Sequence, residues 1–519
     1  MLLHEFLEES ARKYPKKVAL IHKEERLTYQ DINQRANQVA NLLRVQGVCR
    51  GDRVAIFLDN SIESVVSLFG ILKTDAVFLM LSPLLKAPKL GYILNNCQAK
   101  ALITHVNKLN IISGGIQSVP SLKFSIFVGN KEKIPIGAPR PISWNEIDFL
   151  NPQPATRNPQ PNIDLDLATI IYTSGSTGNP KGVMLTHLNM ISAATSITTY
   201  LENIPEDIIM DVLPLSFDYG LYQIIMAFKF GGTVVLEKSF AYPYEVIKQM
   251  VKERVTGFPG VPTVFAILLQ MEDLKRYDLN SLRYITNTAA SLPVEHIHKL
   301  REIFPQAKLY SMYGLTECKR VSYLPPEELE RRPSSVGRGM PNEEVWIVDQ
   351  NGNRVGPGIV GELVVRGSNV MRGYWGDQET TDRVLKPGVL PGEKVLYTGD
   401  LFRMDEEGFL YFVGRKDDMI KTRGERVSPK EVENAIYSFE GVVEVAVIPV
   451  PDDILGQAIK AFIVTRNGYH LTGKDVLRHC KKELEEFAIP KYIEFRDSLP
   501  KTSSGKIDKL SLRQSEVGG

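Results

Sequence analysis

Ile171-Tyr-Thr-Ser-Gly-Ser-Thr-Gly-Asn-Pro-Lys-Gly182 carries the chain from an apolar run into a stretch of hydroxyls and glycines. Residues 168–172 are apolar and β-branched, which predicts a buried strand. Beyond them almost no side chain blocks approach to the backbone. Gly175 and Gly178 allow positive φ and close contact with an anion. Thr173, Ser174, Ser176 and Thr177 supply hydroxyls, and Lys181 supplies a mobile positive charge. These are the parts of a polyphosphate-gripping loop. The Walker pattern is absent, because it needs Lys-Ser/Thr directly after its second glycine. A flexible linker has a similar composition, but the strand before and the Pro-Lys-Gly after favour the phosphate loop.

Further motifs follow in order: Tyr313-Gly-Leu-Thr-Glu317, Tyr397-Thr-Gly-Asp400, Gly414-Arg-Lys-Asp417, Arg423-Gly-Glu-Arg426 and Pro500-Lys-Thr-Ser-Ser-Gly-Lys506. Together with residues 172–182 they resemble the adenylate-forming superfamily of acyl-CoA synthetases, peptide-synthetase adenylation domains and luciferases. The resemblance runs from the phosphate loop to the C-terminal end. It implies an ATP- and Mg²⁺-dependent ligase that converts a carboxylate to its acyl-AMP and then to a thioester.

Length and composition agree with such an enzyme. The 519 residues exceed the ~250–300 at which single cores stop growing. Apolar residues make up 43% and charged residues 24%, as in soluble globular proteins. The formal net charge of +1 gives no electrostatic reason to expect a nucleic acid or an anionic membrane. Cys49, Cys97, Cys318 and Cys480 are scattered and suit free thiols in a reducing compartment. The N-terminus carries acids where a secretory signal needs bases, and Lys73 and Asp75 interrupt the most apolar stretch, 65–81. A cytoplasmic protein without membrane spans is expected.

Helical spacing marks residues 2–14, 28–45 and 62–73, with Asp31 in the first turn of the second helix. Short β-like runs at 54–58, 77–81, 102–104, 124–128, 233–236 and 284–286 alternate with helical stretches, which predicts α/β layers with largely parallel sheets. Residues 151–161 read as a linker. After about residue 341, the runs 345–349, 362–366 and 409–413 between turn signals predict a β-rich subdomain. From residue 417, helix 429–437, strands 443–450 and 460–465 and helix 473–485 form a small α+β unit. The expected organisation is an N-terminal adenylation core, 1–416, and a mobile C-terminal domain, 417–519.

By resemblance, the loop from Thr173 to Lys181 holds the β- and γ-phosphates. Glu317 binds Mg²⁺, Thr316 touches the phosphates, and Tyr313 offers an aromatic face to adenine beside Ala289 and Ala290. Asp400 takes the ribose hydroxyls, since a carboxylate accepts from both. Arg415 reaches the same sugar, Arg426 the α-phosphate, and Lys506 bridges carboxylate and phosphate oxygens. Asp417 matches the hinge about which the C-terminal domain turns between half-reactions.

The acyl pocket is expected from Phe217, Asp218, Tyr219, Tyr222, Pro259, Thr286, Thr288 and Met312. Tyr219, Tyr222 and Met312 shorten it, which argues against a long fatty chain. Peptide-synthetase adenylation domains place an aspartate at the position of Asp218 to receive the substrate's ammonium. Asp218 also suits the N-cap of a helix over 219–229. Ser216-Phe-Asp-Tyr-Gly220, Asn287-Thr-Ala-Ala290 and Glu317-Cys-Lys-Arg320 are similar to stand-alone prolyl-AMP ligases that load a separate phosphopantetheinylated carrier protein. Three features depart from the pattern: Ala289-Ala290 replace the commoner glycine-containing pair beside adenine, Asp75 replaces a usual glycine, and Arg320 puts a cation near the pocket. The expected activity is therefore activation of a small amino acid, proline first, for a carrier protein. The rivals are an acyl-CoA synthetase for a small or aromatic acid and a catalytically dead nucleotide-binding protein.

Overall fold

The computed structural model describes residues 1–116, 119–130, 132, 139–154, 160–173, 179–290, 292–422, 425–452, 455–466, 468–469, 471–502 and 505–517. Strand Leu167–Thr173 forms where the β-branched run predicts it, and Lys181–Thr186 returns antiparallel with Thr173 opposite Lys181. The phosphate-loop sequence is thus the connection of a hairpin. Ser174, Gly175, Ser176, Thr177 and Gly178, all expected to hold phosphate, lie outside the described residues.

That hairpin belongs to a sheet whose other strands, Val77–Met80, Arg53–Phe57, Ala101–His105, Phe124–Val128 and Pro141–Ser143, run parallel to Leu167–Thr173. Gly373–Tyr374 adds an antiparallel edge beside Lys181–Thr186. A second sheet has parallel strands Val18–His22, Thr233–Leu236, Ile208–Asp211, Gly257–Gly260, Tyr284–Asn287 and Lys308–Leu315 at its centre. Parallel strands buried on both faces need helices to cover them. Tyr29–Val45 starts at a capping box between Thr28 and Asp31, and Ile62–Leu72 starts at a Ser61 cap. Phe69 stacks on Phe228 at 5.1 Å with Tyr29 edge-on at 5.3 Å, so helices of the two sheets share one core. The Tyr29 hydroxyl donates to Gly232 O at 2.6 Å, which ties down the C-terminal end of helix Asp218–Phe230.

The third sheet is antiparallel: Glu343–Val348, Gly361–Gly367, Lys394–Met404, Leu385–Pro387 and Leu410–Arg415. Its long strand Lys394–Met404 carries Tyr397–Asp400 and was not expected as a strand. Gly399, at φ +73°, interrupts the alternation that marks one. A fourth sheet, with Val442–Asp452 against Gly456–Thr465 and Tyr492–Phe495 parallel to the latter, packs on helices Pro429–Tyr437 and Gly473–Glu483. Asp417 sits exposed in the turn that leads from the third sheet to the fourth. Among the described residues no helix is long and apolar enough to cross a membrane.

Candidate active site

Helix Asp218–Phe230 begins one residue earlier than expected, with Phe217 as its extended N-cap and no side-chain cap bond. Asp218 is therefore in the first turn and is not the cap. Its carboxylate pairs with Lys319 Nζ at 3.2 Å, and the two residues are only 7% and 4% exposed. Lys319 comes from strand Cys318–Leu324, which pairs antiparallel with Lys308–Leu315 through a bulge between Tyr313 and Leu315. At that bulge a Cβ on Gly314 would meet Arg320 N and Cα at 2.9 Å, so only glycine fits. The close approach holds Arg320 at φ +57° and buries it. Lys319 Nζ lies 5.2 Å from the Tyr219 ring and 5.1 Å from the Tyr222 ring, and the Arg320 guanidinium lies 5.1 Å from Tyr219. Burial lowers the Lys319 ammonium to about 7, with Asp218 opposing and Arg320 reinforcing. In the sequence Arg320 stands out as a departure, whereas Lys319 carries no such mark.

Lys506 arrives from the C-terminal unit. Gly505 O accepts from Thr263 Oγ1 at 2.9 Å, and Lys506 Nζ sits 5.6 Å from the centre of the Phe217 ring. Burial lowers its pKa from the ordinary lysine value, chiefly opposed by Asp218. Lys506, Phe217, Asp218, Thr288, Ala289 and Thr316 border one cleft with about 300 Å³ of empty space, joined by Lys319 and Arg320. Residues from four distant segments of the chain thus line one cleft. Behind them, the Tyr219 hydroxyl lies 2.6 Å from Thr286 Oγ1, and Pro259 stands opposite Thr286 in the next strand. Tyr222 and Met312 are buried, with the Tyr200 hydroxyl 3.1 Å from Met312 Sδ. Ala289 has φ +76°, a left-handed backbone in which glycine is unstrained, while Ala290 O accepts from Asn287 Nδ2 at 3.0 Å.

At the nucleotide end, the Tyr313 hydroxyl donates to Asp400 Oδ2 at 2.6 Å. Asp400 Oδ1 is buried without a hydrogen bond and 3.3 Å from Arg415 Nε, so an acceptor is left for a sugar hydroxyl. Burial raises the Asp400 carboxyl, opposed by Arg415 and the Tyr313 hydroxyl. The Tyr374 hydroxyl donates to Glu317 Oε1 at 2.7 Å, and Lys181 Nζ lies 5.6 Å from the Tyr374 ring. Tyr374, a residue that the sequence analysis missed, therefore links the phosphate-loop lysine to the acidic residue expected at the metal. Its signal was Gly373-Tyr-Trp-Gly376, an aromatic pair between glycines. Glu317 Oε2 is left for a cation, and one carboxylate suits Mg²⁺, which binds through few protein oxygens plus substrate phosphate. Strand Glu425–Val427 brings the Arg426 backbone opposite Lys421; its side chain lies outside the description.

The AMP-binding enzyme family matches residues 7–375, and the AMP-binding enzyme C-terminal domain matches residues 431–506. The chain is 32% identical to a long-chain-fatty-acid–CoA ligase of Bacillus subtilis, over 99% of this chain and 94% of that one. It is 30% identical to gramicidin S synthase 2 of Brevibacillus brevis over its whole length, but spans 11% of that protein. The anthranilate CoA ligase AuaEII in complex with anthranoyl-AMP superposes with a TM-score of 0.90 at 28% identity, covering 100% of this chain and 97% of that one. ATP-bound MatB from Rhodopseudomonas palustris gives 0.87 at 27% identity, covering 99% of each chain.

Proposed function

Since this chain belongs to the AMP-binding enzyme family, whose members use ATP with Mg²⁺, we propose that it activates a small carboxylic acid as the acyl adenylate and passes it to a phosphopantetheine thiol. In the first step a carboxylate oxygen attacks the α-phosphorus of ATP and pyrophosphate leaves. In the second a thiolate attacks the acyl carbonyl and AMP leaves. Two anions meet in the first step, so fixed positive charge and in-line positioning supply most of the catalysis. The observation that carries this reading is the convergence of Lys506 with Thr316 and Phe217 on one cleft. There a buried ammonium can touch the attacking carboxylate and the α-phosphate together. Glu317 would hold Mg²⁺, which neutralises phosphate charge when bound. Asp400 and Arg415 would orient the ribose, and Tyr313 would hold Asp400 in place.

The small cleft and the burial of the bulky Tyr219, Tyr222 and Met312 support a short acid. In the amino-acid reading, Asp218 receives the substrate's nitrogen. That carboxylate is already paired with Lys319, so the nitrogen of proline would have to displace a buried lysine. We therefore put an acid without an amine first and prolyl loading of a carrier protein second. The second reading keeps its support from the position of Asp218 and from the similarity to gramicidin S synthase 2. ATP–pyrophosphate exchange over all proteinogenic amino acids and a panel of simple acids tests both, followed by thioester assays with CoA and with a holo-carrier protein. Preference for proline would reverse the order, and no exchange with any acid would leave a nucleotide-binding protein without the ligase activity.

A further inference from the structure

Charge around the acyl cleft does not balance. Lys319 and Asp218 offset one another at 3.2 Å, and Lys506 faces the reacting carboxylate in the proposed adenylation. Arg320 is left over. It borders the cleft, is 2% exposed, has no hydrogen-bond partner at Nε, and forms no ion pair among the described residues. A guanidinium stays charged in proteins, and a buried charge without a counter-charge is costly. The Tyr219 ring at 5.1 Å and the Tyr200 hydroxyl offset part of that cost, but neither brings the negative charge that the guanidinium lacks. The backbone there is also unusual. Arg320 at φ +57° is a bulky residue in the left-handed region, held by the glycine bulge opposite it. Such strain clusters where a side chain has to be aimed.

We infer that Arg320 binds a second carboxylate on the substrate, so that the enzyme activates one end of a short dicarboxylic acid. This rests on the adenylation reading and narrows its substrate. A carboxylate matches the guanidinium fork with two parallel hydrogen bonds. Asp218 faces the same cleft, but its charge is met by Lys319. The chain between the two carboxyl groups must be short, because the cleft holds only about 300 Å³ of empty space.

The experiment is pyrophosphate exchange by the full chain with malonate, succinate and glutarate, each compared with its monomethyl ester. At least one diacid should exceed its ester by about tenfold or more in kcat/KM, the least expected when a desolvated charge pair is broken. Arg320→Gln should raise the diacid KM by a similar factor, leave the KM for ATP and for the ester unchanged, and be partly rescued in Arg320→Lys. Binding of a fluorescent ATP analogue checks that each variant folds, and the wild-type comparison needs no variant. Esters equal to or better than diacids in every pair would overturn the dicarboxylate site while leaving adenylation intact. No exchange with any acid of the wider panel would overturn both.

Discussion

Asp218 and Lys319 show how one buried pair shapes the acyl end of the site. Removing one partner leaves the other charge buried alone, which typically costs about 3–5 kcal/mol, whereas replacing both is often neutral. Asp218→Asn should thus lose stability of that order in chemical denaturation, and Asp218→Asn with Lys319→Met should recover most of it. A single variant within about 1 kcal/mol of wild type would mean that the pair is not desolvated in solution. The titration gives a second check. Lys319 stands at about 7 in the folded chain against 10.5 ordinarily, faced by Asp218, Arg320, Lys506 and the Tyr219 and Tyr222 rings. Between those values the unfolded chain holds a proton that the folded chain has released, so stability rises with pH. The penalty is complete below about 7. Wild type should therefore gain on the double variant as pH is raised from 7 to 9. Ala289 and Asp75 were visible in the sequence as departures from glycine, and both have positive φ, +76° and +65°. Asp75 compensates by accepting from Asn162 N at 3.1 Å, which an alanine cannot do. Ala289→Gly should therefore raise the thermal midpoint, by up to about 1 kcal/mol in stability. A fall would show that the lost methyl packing outweighs the strain. Lys319 was not legible, because a Lys-Arg pair in a sequence reads as solvated surface until the fold buries it.

Elements followed the patterns that apolar spacing can encode. Helix Pro429–Tyr437 and strand Thr233–Leu236 have the predicted bounds, and the Thr28–Asp31 box fixes the start of helix Tyr29–Val45. Strand Lys394–Met404 was hidden because its middle holds Thr398, Gly399 and Asp400, which break the apolar alternation that marks a strand. Tyr492–Phe495 was hidden for another reason: it is a short edge strand with no residue fully buried. The turn at 416–418 joins the third sheet to the fourth. Asp417 is exposed there, and its amide makes no backbone hydrogen bond among the described residues, while Asp418 N bonds to Arg415 O at 3.0 Å. Proline at 417 would remove no ladder bond but would fix φ near about −65°. If the C-terminal unit turns about this residue, Asp417→Pro should keep pyrophosphate exchange and lose thioester formation. Equal loss of both in a folded variant would place the pivot elsewhere.

At the scale of the molecule, the site is completed across a boundary. The start of helix Asp218–Phe230 and the strands and turns of the second sheet supply every described residue of the acyl cleft except Lys506, which comes from the C-terminal unit. Lys506→Ala should lower adenylation by roughly 10²–10³ in kcat, as when one transition-state donor is lost. It should still carry a pre-formed acyl-AMP to the thiol, and exchange at the wild-type rate would remove Lys506 from the mechanism. The hydrogen bond from Thr263 to Gly505 O has a consequence for timing. It pins the lysine loop over the cleft, so an acid that is inside when the loop seats has to wait for it to lift before leaving. That latch would lengthen the acid's residence by what one neutral hydrogen bond supplies, on the order of fivefold. In a pulse–chase experiment, labelled acid bound with ATP should go forward to thioester in preference to washing out. Thr263→Val, which unfastens the latch without touching the lysine, should let the label escape.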